Sequence, residues 1–358
     1  MSLKFKKPLL FSLFVTIVFS CGKTGLNEPT EPVPAKTEKV IEFKGEQVKV
    51  ASDFPVEFLN QSNDEFETYY RSLHQSGNLR IDADQSISYE ELSSVIEPFA
   101  GKYPDLSIDK DISEKDIKRI FADFKSISSL TQIREKSEII VTFYEALLKK
   151  DVLPEIIKYK KNKKKSGRIS GIGDPFGFMN PHEESVAMNH PRYVPGYTIA
   201  ASKAKDIGDK YADASEGKKG DAIRHSTWNC LIIRNVIILG ASKNTGVRYA
   251  MECTTAHEKS PTGDYLYGHN IAMDLHNNLA ARTWMESEIG WGVGWARDMP
   301  IESRIENTMR IRAGRARKFN TPNYLNEIVI SDGVVNNWGV LYGAITKGGY
   351  GELVYYQD

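Results

Sequence analysis

The chain has 358 residues, 41% of them hydrophobic, with 47 basic and 47 acidic side chains that leave a formal charge of zero. At the level of the whole chain that neutrality implies no sequence-independent nucleic-acid surface, which needs a cationic excess, so no nucleic-acid partner is expected. The length and apolar fraction suit one or two packed domains beyond any leader.

At the start, Met1 to Lys7 carries Lys4, Lys6 and Lys7, Pro8 to Ser20 is almost wholly apolar, and Val18-Phe19-Ser20-Cys21 closes the run. This is the layout of a signal peptide. The apolar run is about 13 residues, whereas a membrane-crossing helix needs about 20. Residues 1–20 are therefore expected to be removed. The small residue before Cys21 resembles the lipobox of bacterial lipoproteins, which makes Cys21 the expected lipidation site and the membrane the expected partner. The protein would then sit on an extracytoplasmic face of the cell envelope, and Gly22 after the cysteine, where an Asp is absent, favours the outer membrane. Cleavage leaves 44 basic against 47 acidic residues.

Residues 21–50 are rich in Pro, Thr, Glu and Lys, a composition that cannot offset its own ordering entropy, and are expected to form a flexible lipidated tether. Over 60–158 the pattern turns helical: Phe66, Tyr69, Tyr70 and Leu73 recur at three-to-four spacing, followed by Ile117, Ile120 and Phe121, then Ile139, Phe143, Leu147 and Leu148. Within this small helical domain lie two EF-hand-like loops. The first, Asp82 to Glu91, has Arg80 where a carboxylate belongs. In the second, Asp105, Ser107, Asp109, Asp111 and Asp116 occupy alternating and final ligand positions for calcium, with Lys110 at the usual turn glycine. Capping explains much of the same pattern, because Ser88 with Glu91 and Ser113 with Asp116 are each a serine followed three residues later by an acid. A structural EF-like fold without calcium is the favoured expectation.

Residues 159–176 are expected to be an exposed basic linker, since Lys158 to Arg168 carries seven Lys or Arg and Gly171 to Pro175 follows. Residues 177–358 form the expected C-terminal helical domain. Its clearest helix runs from Asp221 to Leu239 and stops at Gly240, followed by Val247 to Glu258 and Asn270 to Met285. From Glu327 onward a short irregular or β tail is expected. The fold class is thus mainly α.

The strongest chemical signal is on the first of these helices. Asp221, Arg224, His225 and Asn229 fall on one stripe of a helix otherwise suited to a core, so their hydrogen bonds must come from neighbouring elements. His257 with Glu258, and Asp274 with His276, Asn278 and Arg282, can supply them. His225, His257, Asp274 and His276 suit a divalent metal such as Zn²⁺ that activates water; Ca²⁺ is the candidate at the Asp105 loop. A metal-free acid/base pair, His225 with Glu258 or Asp274, fits equally well, with Arg224 and Arg282 as anion holders. The spacing lacks a His-Glu-x-x-His pair, and the chain has no Gly-x-Ser-x-Gly and no nucleotide-binding glycine motif. Cys230 and Cys253 sit in apolar helical surroundings; they either pair or stay as buried thiols. A hydrolase and a non-catalytic envelope binding module, whose polar stripe docks helices, are both open, and the substrate or protein partner is unspecified.

At these residues the chain resembles a bacterial family, number 6973 among the domains of unknown function, over about residues 178–285. The residues carrying the resemblance are Asn180-Pro181 with Glu184, His190-Pro191, Asp221-Ala222 with Arg224-His225 and Trp228-Asn229, Ala256-His257-Glu258, and Met273-Asp274 with His276-Asn277-Asn278 and Arg282. Ala281 stands where the family has glycine. The resemblance implies a compact, mostly helical domain often carried by secreted or surface proteins, and brings no known reaction.

Overall fold

An antiparallel hairpin comes first, β1 (Glu38–Phe43) and β2 (Glu46–Ala51), in register from Glu38 opposite Ala51 to Phe43 opposite Glu46. Lys44 and Gly45 join the strands with φ of +47° and +80°, the left-handed pair that a tight two-residue hairpin turn requires. Phe43, Val48 and Val50 point into the core, and Val48 bridges to Phe124 while Lys125 N–H donates to the Gln47 carbonyl at 2.9 Å. This corrects the expected tether over 38–50. Charge-rich composition concealed a period-two alternation, and alternation decides when one face has a core to meet.

The computed structural model describes residues 37–76, 87–165, 179–211, 213, 215–259, 269–290, 298–318 and 353–355. The leader, Cys21, the first calcium-type loop from Arg80 to Ser86, residues 166–176 of the linker and most of the tail from Glu327 lie outside the described residues.

Five helices follow the hairpin: α1 (Asn63–Ser76), α2 (Tyr89–Ile96), α3 (Glu114–Asp123), α4 (Leu130–Glu135) and α5 (Ser137–Lys165). The starts of α2, α3 and α4 are set by side-chain caps. Ser88 and Glu91 close a reciprocal capping box on α2, and Ser113 Oγ accepts the Asp116 N–H at 3.1 Å to begin α3. The second loop does not gather as a calcium site. Asp105 Oδ1 accepts the Ser107 N–H at 3.0 Å, while Lys110 and Arg192 pair with the Asp105 carboxylate at 3.2 and 3.6 Å. Asp116 serves the cap instead. The Ile87 carbonyl accepts from Met179 N–H at 3.2 Å.

Helix α5 buries Ile140, Phe143, Tyr144, Val152 and Ile156, and it continues through the lysine run where a linker was expected. The reason is a buried partner. Lys160 is 3% exposed and its Nζ lies 2.6 and 2.7 Å from the two Glu184 oxygens, while Lys163 pairs with Glu91 at 2.7 Å. Such pairing offsets the cost of enclosing a lysine this fully.

Six more helices complete the molecule: α6 (Pro181–Asn189), α7 (Val194–Tyr211), α8 (Lys219–Ile238), α9 (Lys243–His257), α10 (His269–Glu288) and α11 (Glu302–Gly314). Helix α8 is the axis, touching α7, α9, α10 and α11, and it is buried nearly all round, its part from Cys230 onward being apolar apart from Arg234 and Asn235. A Cβ on Gly196 would come within 3.0 Å of Asn235 Cβ, so glycine there lets α7 close on α8. Gly240 ends α8 at φ +96°, and a Cβ would meet the Leu106 carbonyl at 2.8 Å. Ile108 N–H donates to the Ile238 carbonyl at 2.9 Å at the same junction.

The earlier and later helices share one hydrophobic cluster running from Phe43 to Met309, and Glu38–Asp358 forms one compact unit. The expected division between 60–158 and 177–358 therefore does not separate two cores. β3 (Arg317–Lys318) and β4 (Val354–Tyr355) make a two-residue parallel pair. Asn277 grips Val354 through both amide atoms, donating to its carbonyl at 3.0 Å and accepting its N–H at 2.9 Å. Cys230 and Cys253 are buried free thiols, not a disulfide. Among the described residues no helix is long and apolar enough to cross a membrane.

Candidate functional site

The first turn of α8 places Asp221 where exposed backbone N–H groups favour an anion, and its Oδ2 accepts the Gly217 N–H at 2.9 Å. Arg224 pairs with Asp221 Oδ1 one turn on. His225 stands four residues after Asp221, with Nε2 3.3 Å from Asp221 Oδ1 and 3.4 Å from Asp274 Oδ1 on α10. Its Nδ1 faces Glu258 Oε1 at 3.7 Å. Asp221, His225 and Asp274 each offer one ligand atom, all within 4.8 Å of one another, and form the single converging group of three His, Cys, Asp or Glu side chains among the described residues.

All four side chains are buried, at 1 to 8% exposure. Burial of three carboxylates with one imidazole has a direct electrostatic consequence. Burial drives His225 down to about 4 against the pull of Asp221, so the ring is neutral. Burial raises Asp274 well above the usual carboxylate range, with Asp221 and Glu258 adding like-charge repulsion. Burial also lifts Glu258 to about 8, with the Asp221 and Glu183 carboxylates pushing the same way and His257 opposing. Asp221 moves the other way: burial pushes it up, but His225, Arg224 and the Gly217 N–H hold it below its ordinary value. Asp274 Oδ1 and Glu258 Oε1 accept no hydrogen bond among the described residues.

A second assembly lies beside the first, with the His225 and His257 rings 6.0 Å apart and Trp228 against both. His257 does not join the converging group. Its Nδ1 donates to Glu183 Oε1 at 3.0 Å, and that oxygen also accepts from Tyr89 Oη at 2.7 Å and Tyr197 Oη at 2.9 Å. Glu183 Oε2 takes the Asn180 N–H at 2.9 Å, closing the capping box of α6. Burial opposes charge on both partners, yet the Glu183 carboxylate holds His257 up to about 9, and His257 in turn holds Glu183 below its ordinary value. His257 and Glu258 are adjacent in the chain but serve different assemblies, because α9 ends between them.

The remaining stripe residues form a third set. Arg282 Nη1 donates to Asn229 Oδ1 at 3.0 Å and to Thr254 Oγ1 at 3.3 Å, while Asn229 Nδ2 donates to the His225 carbonyl at 3.0 Å and to Asn278 Oδ1 at 2.5 Å. This network ties α8, α9 and α10 together. Asn229, Asn278 and Arg282 hold the frame on which His225 and Asp274 meet. His276 is buried on α10 and lies outside the converging group.

Of the expected metal ligands, then, His225 and Asp274 converge, Asp221 joins them, and His257 and His276 do not. Sequence reasoning missed Glu183, Tyr89 and Tyr197. The available signal was Asn180-Pro181 followed by Glu183, a helix-start pattern that marks Glu183 as a capping carboxylate, though not what its second oxygen meets.

Neither a curated protein nor a solved structure matches the chain. The resemblance carried by the motifs holds over residues 184–294, which match the model of the family described as Domain of unknown function (DUF6973), and this segment contains α8, α9 and α10 with Asp221, His225 and Asp274.

Proposed function

We propose that the chain is a lipoprotein anchored through Cys21 to an extracytoplasmic membrane face, and that its helical domain is a metal-assisted hydrolase centred on Asp221, His225 and Asp274. The observation that carries the reading is the approach of two aspartate oxygens to one imidazole nitrogen. A tetrahedral site with bonds of about 2.0–2.1 Å sets its ligand atoms about 3.3–3.4 Å apart, and His225 Nε2 lies 3.3 and 3.4 Å from the two aspartate oxygens. Two carboxylates and a neutral imidazole offset a divalent cation and leave a fourth position for water.

The surroundings fit the same reading. A histidine that ligates through one ring nitrogen donates the other N–H to a carboxylate or carbonyl, and Glu258 Oε1, 3.7 Å from His225 Nδ1, stands on the side where a small shift would bring it into that role. Arg224, beside Asp221, is placed to offset negative charge that develops as an ester is attacked. Phosphoesters or lipid head groups are the substrate class that the anchor and this arginine favour.

The test is metal content by mass spectrometry of the purified full chain, beside hydrolysis of bis(p-nitrophenyl) phosphate. One zinc-like ion per chain, lost in His225→Ala with helicity retained, supports the reading. A folded, metal-free and inactive protein overturns it. One observation favours a second reading, a non-catalytic envelope module: the constellation is buried, as expected for a network that docks helices.

A further inference from the structure

Away from this centre, a cavity of about 480 Å³ opens between the start of α1, the middle of α5 and α9. Its walls carry an unusual mixture. Lys149 is 3% exposed, and its ammonium donates to Asn189 Oδ1 at 2.7 Å and rests 4.9 and 5.0 Å from the Phe58 and Phe66 ring centres. No carboxylate lies within ion-pair distance of it among the described residues. A buried cation held by an amide and two ring faces lacks its usual counter-charge. Burial lowers its pKa to about 8, although Glu145 works in the opposite direction.

The same walls present donors and acceptors that nothing among the described residues satisfies. Asn189 Nδ2 donates to Asn63 Oδ1 at 2.6 Å, and Asn63, which lines the cavity, keeps its Nδ2 as a buried donor without an acceptor among the described residues. Gln61 Oε1 and Glu252 Oε2 are buried acceptors without a donor among the described residues, while the other Glu252 oxygen faces Arg248 Nε at 3.8 Å. Buried polar atoms in native proteins are almost always paired, so such a set around a roomy polar cavity marks a place for a ligand.

We propose that this cavity binds a small zwitterion of the α-amino acid type. Lys149 and Asn63 Nδ2 hold its carboxylate, and Glu252 and Gln61 Oε1 accept from its ammonium. The chemistry is read from the two complementary halves: an uncompensated cation with a donor, and a carboxylate with an acceptor. An anion alone leaves the acceptors unmet, and an amine alone leaves Lys149 without its counter-charge.

The experiment is isothermal titration calorimetry on the full chain with L-alanine, L-leucine, L-glutamate and L-lysine, and with acetate and ethylamine as half-ligands. At least one amino acid is expected to bind at millimolar concentration or below, at least tenfold tighter than either half-ligand. Lys149→Met and Glu252→Gln should each weaken that binding at least tenfold. Because Lys149 is part of the core, Glu252→Gln, on a half-buried residue, is the decisive variant should Lys149→Met fail to fold. Acetate binding as tightly as the amino acids, binding unaffected by Glu252→Gln, or no heat with any amino acid overturns the proposal.

Discussion

Two histidines 6.0 Å apart in the same helical core have opposite fates. His257 meets one carboxylate whose other lone pairs are taken by two tyrosine hydroxyls and a backbone N–H, so its charge is matched and the assembly is closed. His225 meets three carboxylates, two of which keep an oxygen without a hydrogen bond among the described residues. Burial is common to both and cannot explain the difference. What differs is whether the donors and acceptors around each ring are in balance. A balanced network fixes packing, while an excess of carboxylate is a demand for a cation.

The contrast can be broken most violently at its closed side. Glu183→Gln strands a charged His257 in the core and should cost about 3–5 kcal/mol in urea denaturation, because removing one member of a buried pair leaves the other uncompensated. A loss below about 1 kcal/mol would remove the distinction drawn between the assemblies. On the open side, Asp274→Asn should abolish bound metal yet leave the chelated protein within about 1 kcal/mol of wild type, since the substitution relieves like-charge repulsion and breaks no hydrogen bond at Oδ1. Metal analysis and urea curves on one preparation check both halves.

The pH dependence sharpens the comparison further. His257, raised to about 9, contributes stability that is fully present below its unfolded value near 6.5 and is lost as pH rises through about 9. His225, lowered to about 4, is buried neutral, so its contribution is lost as pH falls from about 6.5 toward 4. The stability gap between wild type and His257→Gln should therefore shrink as the solution is made alkaline. The corresponding gap for metal-free His225→Gln should shrink or reverse in acid. The smallest effect expected is at a site with neither kind of histidine. Ser113→Ala should cost about 1 kcal/mol as a lost helix cap, and added calcium should leave that cost unchanged.

Helical periodicity made α8, α9 and α10 legible to within a few residues, and the polar stripe of Asp221, Arg224, His225 and Asn229 stood out because it interrupts an otherwise apolar helix. What a single stripe cannot reveal is which distant residue turns toward it. Glu183 comes from 38 positions before Asp221, and Tyr89 from further still, so their meeting with His257 is a property of packing. The tether and the linker were misjudged for different reasons. In the tether, charge-rich composition hid the alternation that buries Phe43, Val48 and Val50. In the linker, lysines were counted without asking whether an opposite charge would be buried with them, as Glu184 is with Lys160.

That last ion pair bears on where the molecule can be cut. Residues 184–294 match a family model, yet Glu184, at its very edge, is neutralised by Lys160 and accepts a hydrogen bond from Tyr70 Oη, both contributed by earlier helices. The recognisable segment and the autonomously folding segment are therefore different lengths. Excised at its alignment borders, the piece would carry a naked carboxylate on what had been its interior, and a crystallographer or engineer would do better to begin the fragment before the hairpin at Glu38.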